Sequence, residues 1–162
     1  MGQGPGPPEI AKRIEGKLPR LRDSDYRVTS PRDASYNCIG WAADDSAAWW
    51  EPDVEGESYW PEGAPREYTL AAYVAAYAQL GYEACDSSGR EAGFEKVAIF
   101  VNDEGVPAHA ARQLVTGRWT SKLGDWEDID HQLEDVEGDS YGSVAVVLRR
   151  PRPPSKNGVS ET

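Results

Sequence analysis

The order of apolar and polar residues predicts helices early in the chain and strands later. The run CIGWAADDSAAWW, which starts at Cys38, places apolar residues at roughly helical spacing until Pro52 ends the pattern. The run TLAAYVAAYAQLGY, residues 69–82, repeats apolar residues at intervals of three and four, and Gly81 suits the end of a helix. The pattern therefore predicts two helices separated by a loop rich in Pro, Gly and acidic residues.

From residue 94 onward the pattern changes to one that is typical of strands. FEKVAIFV, AHAARQLV and RWTSKLG are separated by the turns NDEGVP and TG, which indicates a three-stranded meander. SVAVVLRR, residues 143–150, is a continuous apolar run that fits a strand buried on both faces, whereas DWEDIDHQLEDVEGDSYG indicates a loop with a short helix. We therefore expect an α+β fold in which two N-terminal helices pack on an antiparallel sheet of about four strands.

The two ends of the chain differ in composition from its middle. Residues 1–19 and 151–162 include stretches rich in Pro, Gly and polar residues, so we expect a flexible N-terminal tail and a disordered C-terminal tail. A chain of 162 residues is long enough for one domain with a genuine core. We place that single domain at residues 20–150.

Charge and hydropathy exclude several classes of partner. The 28 acidic residues outnumber the 17 basic ones, which gives a net charge of −11 and argues against nucleic acid or an anionic membrane as the main partner. We find neither a signal peptide nor an apolar run long enough to span a membrane. We therefore expect a cytoplasmic protein, in which the two cysteines are free thiols.

The position of Cys38 suggests chemistry. It follows Asn37, a helix-capping residue type, at the predicted start of a helix, where free amides and the helix dipole favour a thiolate. His109, one of only two histidines, begins the middle strand of the predicted meander and could face the start of a helix packed against it. A thiolate, a histidine that holds the proton and a group that orients the histidine are the requirements of cysteine hydrolysis.

This order of cysteine helix, second helix and histidine strand resembles papain-like peptidases and amidases, most closely the NlpC/P60 type, over residues 36–124. The resemblance implies a papain-like fold, with Cys38 as nucleophile, His109 as general base and acid, and Ser121, twelve positions further, as the orienting residue. It also implies an oxyanion hole at the Cys38 amide, with Tyr36 or Asn37 as second donor. In such proteins the orienting residue is usually His, Asn, Asp or Gln, so serine departs from the pattern.

Each of these residues also has a purely structural interpretation. Cys38 and His109 could be core residues, because free cysteine is often buried and histidine often satisfied internally. His131 could be solvated within an acidic loop, or His131 or Asp130 could replace Ser121 as the third group. Trp41 and Trp60 could line a substrate groove or complete the core.

No ligand pair with the spacing of a zinc or calcium site occurs, so we expect neither a metal nor a cofactor. The sequence favours a thiol-dependent hydrolase, similar to a thiol protease or amidase, that acts on a peptide or amide substrate through Cys38 and His109. The alternative is a non-catalytic protein whose acidic surface binds a basic protein partner. The sequence leaves the oligomeric state open.

Overall fold

The computed structural model describes residues 7–152, and one sheet of seven antiparallel strands dominates it. The strands are β1 (Arg27–Ser30), β2 (Glu83–Cys85), β3 (Phe94–Val101), β4 (Pro107–Gln113), β5 (Trp119–Lys122), β6 (Asp128–His131) and β7 (Ser143–Pro151). Their order across the sheet is β1-β6-β5-β4-β3-β7-β2. The predicted meander is confirmed as β3, β4 and β5. The predicted last strand is β7, but the expectation that it is buried on both faces is wrong, because only Leu148 of this strand is fully buried.

The helices of the described residues are few and mostly short. They are α1 (Pro7–Lys17), α2 (Cys38–Ala42) and α3 (Leu70–Ala78), with 3₁₀ helices at Pro19–Asp23 and Leu133–Val136. Asn37 caps α2 by accepting a hydrogen bond from the Gly40 amide, so the predicted helix start is confirmed. The predicted length of this helix is wrong, because α2 ends at Ala42 and the following chain is a loop.

The prediction of two N-terminal helices on a papain-like sheet of about four strands is wrong. The structure is mainly β, and the sheet has three additional strands, β1, β2 and β6. Strands β1 and β2 have only four and three residues, mostly exposed, so they lack the apolar alternation that identifies a strand. Strand β6 escaped prediction because it has the acidic sequence DIDH.

Ion pairs and hydrogen bonds compensate the buried charges of β6. Asp130 pairs with Arg27, at 3.0 Å, and with Arg118. Asp128 accepts hydrogen bonds from the hydroxyl groups of Tyr36, at 2.9 Å, and Thr29. A buried carboxylate is tolerated when it is paired in this way, which explains how an acidic segment becomes an inner strand.

Apolar side chains cover both faces of the sheet. On one face, α2 and α3 pack on residues that include Val97, Ile99 and Ala110. On the other face, α1 and the 3₁₀ helices pack on residues that include Phe100 and Ala111. Neighbouring residues of β4 therefore belong to opposite cores, and this alternation positions the histidine of that strand.

The structure places residues 7–17 of the expected N-terminal tail in α1, whose Ile14 is fully buried. Residues 1–6 of that tail and residues 153–162 of the expected C-terminal tail lie outside the described residues. Within residues 7–152, no helix has both the length and the apolar character that crossing a membrane requires.

Candidate active site

Cys38 is the first residue of α2, and its neighbours hold it rigidly. The Asn37 side-chain oxygen accepts hydrogen bonds from the amides of Gly40, at 3.1 Å, and Trp50, at 3.0 Å. The Asn37 side-chain nitrogen donates to the Trp50 carbonyl at 2.8 Å. One buried amide therefore fixes the start of the helix to the loop that follows it, and α2 packs over β4 and β5.

The sulfur of Cys38 is surrounded by backbone amides but is poorly solvated. The backbone amides of Ala110, Ile39 and Cys38 itself lie near the sulfur and favour the thiolate, as does the charge of Lys122. Burial acts more strongly in the opposite direction and raises the pKa of Cys38 to about 11. Cys38 is thus a protonated thiol at neutral pH, and the five-residue α2 does not supply the activation expected from a helix terminus.

The Ala110 amide places this sulfur at a gap between two strands. The β4–β5 ladder contains the pairs Arg112↔Thr120 and Gln113↔Trp119 and does not extend to Ala110. Backbone N–H groups of a strand lie in the plane of the sheet. The Ala110 N–H, whose proximity favours the Cys38 thiolate, lies at the edge of β4 where β5 has separated, so the sulfur is near this gap.

His109 lies on the other face of the sheet from Ala110, because side chains alternate along β4. It is opposite Phe100 in the register, and its ring contacts the Phe100 ring edge-on, with centroids 5.2 Å apart. The Ala110 nitrogen is bonded directly to the His109 carbonyl carbon, so the two residues are neighbours in β4, but the Cys38 sulfur packs in the core on the Ala110 face while the imidazole points to the opposite face. No hydrogen bond joins Cys38 and His109 in the described part of the chain.

Two histidines and one serine form a buried hydrogen-bonded chain across β4, β5 and β6. His109 Nε2 is 2.9 Å from Ser121 Oγ, and Ser121 Oγ is 2.7 Å from His131 Nε2. His131 Nδ1 is 2.6 Å from the Gln132 carbonyl oxygen. The structure thus brings together His109, Ser121 and His131, three of the residues that the sequence singled out.

The Gln132 carbonyl determines which atom donates in each hydrogen bond of this network. A carbonyl only accepts, so His131 Nδ1 carries the proton and His131 Nε2 is an acceptor in the neutral ring. Ser121 then donates to His131 Nε2 and accepts from His109 Nε2–H. It follows that His109 Nδ1 is the unprotonated, basic nitrogen.

Both rings are neutral at pH 7. Burial, with smaller effects from His131 and Lys17, lowers the pKa of His109 well below its ordinary value. Burial also lowers the pKa of His131 to about 4, against the raising effects of the Gln132 carbonyl and the Asp130 charge. The donor and acceptor assignments for two neutral rings therefore apply at physiological pH.

The basic nitrogen of His109 has no partner. His109 Nδ1 is buried and makes no hydrogen bond. The hydroxyl group of Tyr141 is likewise buried and unpaired. The Tyr141 ring stacks on the His109 ring with centroids 3.9 Å apart and planes 3° from parallel. This stacking and the bond to Ser121 fix the orientation of the imidazole, and a buried unpaired acceptor is rare enough to suggest a functional use.

The side chains predicted to bind an oxyanion or substrate are engaged in other contacts. The Tyr36 hydroxyl donates to Asp128, and both ends of the Asn37 amide are bonded, so neither side chain is a free donor. Trp41 is half-buried, and its indole N–H donates to Thr120 at 2.9 Å. Trp41 lies one helical turn after Cys38, beside the sulfur's face of the sheet.

Trp60 and Asp130 lie apart from the histidine chain. Trp60 is 5% exposed, belongs to the core beneath α3, and donates its indole N–H to the Pro65 carbonyl at 2.8 Å. Asp130 is bound by Arg27 of β1 and by Arg118, which immediately precedes β5. Of the three candidates for the third group, Ser121 and His131 are therefore connected to His109, one after the other.

Sequence reasoning missed two contributors to the site. Tyr141 lies in the segment EGDSYGS, which has no periodic pattern to indicate an inward side chain. Lys122, adjacent to Ser121, is fully buried, and its ammonium group donates to the carbonyls of Asp33, at 2.5 Å, and Gly124, at 2.6 Å. The strand pattern of RWTSKLG could have placed Lys122 on the face opposite Ser121.

Comparisons with known proteins give one match. No curated protein and no solved structure matches this chain. The model of a family described as a domain of unknown function, DUF7689, matches residues 27–149, which include all seven strands except the end of β7 and every residue of the candidate site. The chain therefore belongs to the DUF7689 family.

Proposed function

We propose that this protein is a thiol-dependent hydrolase of amide or peptide bonds, with Cys38 as nucleophile and His109 as general base and acid. One observation carries the proposal. His109 Nδ1 is a buried basic nitrogen without a partner, and His109 precedes Ala110, whose amide favours the Cys38 thiolate. Acyl transfer requires a nucleophile within reach of an oriented base, and we propose that Cys38 and His109 meet this requirement when substrate is bound.

The reaction balances with these groups alone. His109 Nδ1 takes the Cys38 proton as the sulfur attacks the substrate carbonyl, and the protonated imidazole then gives that proton to the leaving amine. The carbon–nitrogen bond breaks and a thioester to Cys38 forms. A water molecule, deprotonated by His109, adds to the thioester, and the carboxylic acid leaves as the thiol is restored.

The high pKa of Cys38 makes this a general-base mechanism. Because the resting pair is a neutral thiol and a neutral imidazole, the proton leaves the sulfur when the substrate arrives and not before. The amides of Cys38, Ile39 and Ala110 then stabilise negative charge at the site. Ser121 accepts from Nε2–H and so keeps the basic lone pair on Nδ1.

The most direct test is detection of an acyl-enzyme. The probe is p-nitrophenyl acetate, followed by intact-mass analysis and peptide mapping, and turnover is measured with a set of peptidyl aminomethylcoumarin amides. We expect one acetyl group on Cys38 in the wild type and in Cys85→Ser, and none on Cys38 in Cys38→Ser or His109→Asn. Equal acetylation of Cys38 in His109→Asn, or acetylation of Cys85 alone, would contradict the proposal.

The second candidate function, a non-catalytic partner of a basic protein, is favoured by the raised pKa of Cys38 and the net charge of −11. It predicts that an ordinary, slowly reacting thiol at position 38 is compatible with full function. Saturable binding of a basic peptide that survives Cys38→Ser, together with no acyl-enzyme, would select this alternative.

A further inference from the structure

The hydrogen-bonded chain behind His109 has a consequence for where positive charge resides during catalysis. Ser121 Oγ lies between the two imidazoles at 2.9 Å and 2.7 Å, and the side chains of His109, Ser121 and His131 are all fully buried. Every donor in the chain has an acceptor, and the one open position is His109 Nδ1. A proton that arrives at Nδ1 therefore enters a continuous path.

We infer that His131 stores the positive charge of the site: when His109 takes the Cys38 proton, Ser121 passes a proton on to His131. This inference rests on the proposed function for its chemistry. His131 is a positioning residue and not a catalytic one, because it acts on the reacting atoms only through Ser121 and His109.

This proton transfer from Cys38 through His109 and Ser121 to His131, the relay, conserves both the number of protons and the number of hydrogen bonds. The Cys38 proton moves to His109 Nδ1, the His109 Nε2 proton moves to Ser121 Oγ, and the Ser121 hydroxyl proton moves to His131 Nε2. His109 ends as a neutral ring protonated on Nδ1, and His131 ends as an imidazolium that donates to both Ser121 and the Gln132 carbonyl. The two hydrogen bonds of Ser121 persist with their directions reversed, and His131 Nδ1–H still donates to the Gln132 carbonyl, so no buried polar group of the network loses its partner.

The surroundings favour charge on His131 over charge on His109. The Gln132 carbonyl and the Asp130 carboxylate both favour a protonated His131, although Arg118 opposes it. His109 faces the stacked Tyr141 ring, and the nearby Lys17 of α1 disfavours a second cation there. Burial lowers the pKa of both rings, to about 4 for His131 and well below the ordinary value for His109, but only His131 has a neighbouring carbonyl and carboxylate that favour its charged form.

The first part of the test uses the resting protein and needs no substrate. Nitrogen-15 NMR of the imidazole rings reports which nitrogen carries the proton and which ring titrates. We expect the Nε2–H form of His109 and the Nδ1–H form of His131 at pH 7, and on acidification we expect His131 to protonate first. Protonation of His109 before His131, or the opposite ring forms at pH 7, would overturn the inference whether or not the protein is a hydrolase.

The second part measures the relay in the reaction. Ser121→Ala removes the bridging hydroxyl, Ser121→Thr retains it, and His131→Gln removes the terminal base, with folding checked by circular dichroism. We expect Ser121→Ala and His131→Gln each to slow acetylation of Cys38 roughly tenfold or more, the double variant to be no slower than either, and Ser121→Thr to recover most of the rate. A full rate in Ser121→Ala, with an acyl-enzyme still formed, would overturn the relay and leave the hydrolase intact. Absence of any acyl-enzyme, with the expected NMR order, would instead refute the hydrolase.

Discussion

Mild acid should destabilise this fold because the two buried histidines are neutral in the folded protein and gain protons when it unfolds. Folding lowers the pKa of His131 from 6.5 to about 4, so the unfolded state binds the proton more tightly below pH 6.5. Stability is therefore fully present above that pH and is lost as the pH falls toward 4. At pH 5 the linkage relation gives a loss of about 2 kcal/mol from His131 alone. His109 shifts in the same direction and adds to the loss.

Urea unfolding followed by tryptophan fluorescence at pH 7.5 and pH 5 measures this effect. The range from pH 5 to pH 7.5 lies above the pH at which most carboxylates titrate. The histidines therefore dominate the change in unfolding free energy over this range. The matched control is His131→Gln, whose side chain does not titrate and retains a hydrogen-bonding amide. We expect the pH-dependent loss in the wild type to exceed that of His131→Gln by about 2 kcal/mol. Equal losses in the two proteins would refute the argument that His131 is held neutral by burial.

Three further substitutions test separate parts of the structure. Gly142→Ala should lower the free energy of unfolding by more than about 2 kcal/mol, measured in urea, because the backbone has a φ of +74° and the new Cβ would lie 1.8 Å from a carbonyl oxygen of β3. Asn37→Ala should cost about 2 kcal/mol and Thr69→Ala, at the start of α3, about 1 kcal/mol, because Asn37 makes three hydrogen bonds and Thr69 a single capping one. Lys122→Met should raise the pKa of Cys38, which is measured by the pH dependence of bromobimane labelling, because the Lys122 charge favours the thiolate.

The sequence predicted those elements that have a clear period. Strands β3, β4 and β5 and helix α3 follow their apolar patterns closely, and the Asn37 cap marked the start of α2 correctly. The pattern failed where stability comes from polar contacts. Strand β6 is acidic and is held by Arg27, Arg118, Tyr36 and Thr29, which lie about 90 to 100 residues or about 10 residues away in the chain. Contacts of this kind leave no local signal.

The candidate site was also predictable only in part, because some of its contacts follow from strand pattern and others are between residues distant in the sequence. The resemblance to papain-like enzymes indicated Ser121, twelve positions after His109, and the short turn between β4 and β5 does bring the two side chains together. The inclusion of His131 required knowing that DIDH is a strand, and the stacking of Tyr141 depends on a turn without periodicity. The activation of Cys38 by its helix was predicted from position alone, whereas burial decides the pKa of the thiol.

The central claim is that His109 Nδ1 is the base for Cys38, and alkylation kinetics test it most directly. The measurement is the second-order rate constant for iodoacetamide at pH 7.5, in a Cys85→Ser background, with and without His109→Asn. We predict that His109→Asn slows alkylation of Cys38 by at least roughly tenfold while the fold persists. An unchanged rate would show that the sulfur and the imidazole do not work together, and it would contradict the proposed hydrolase.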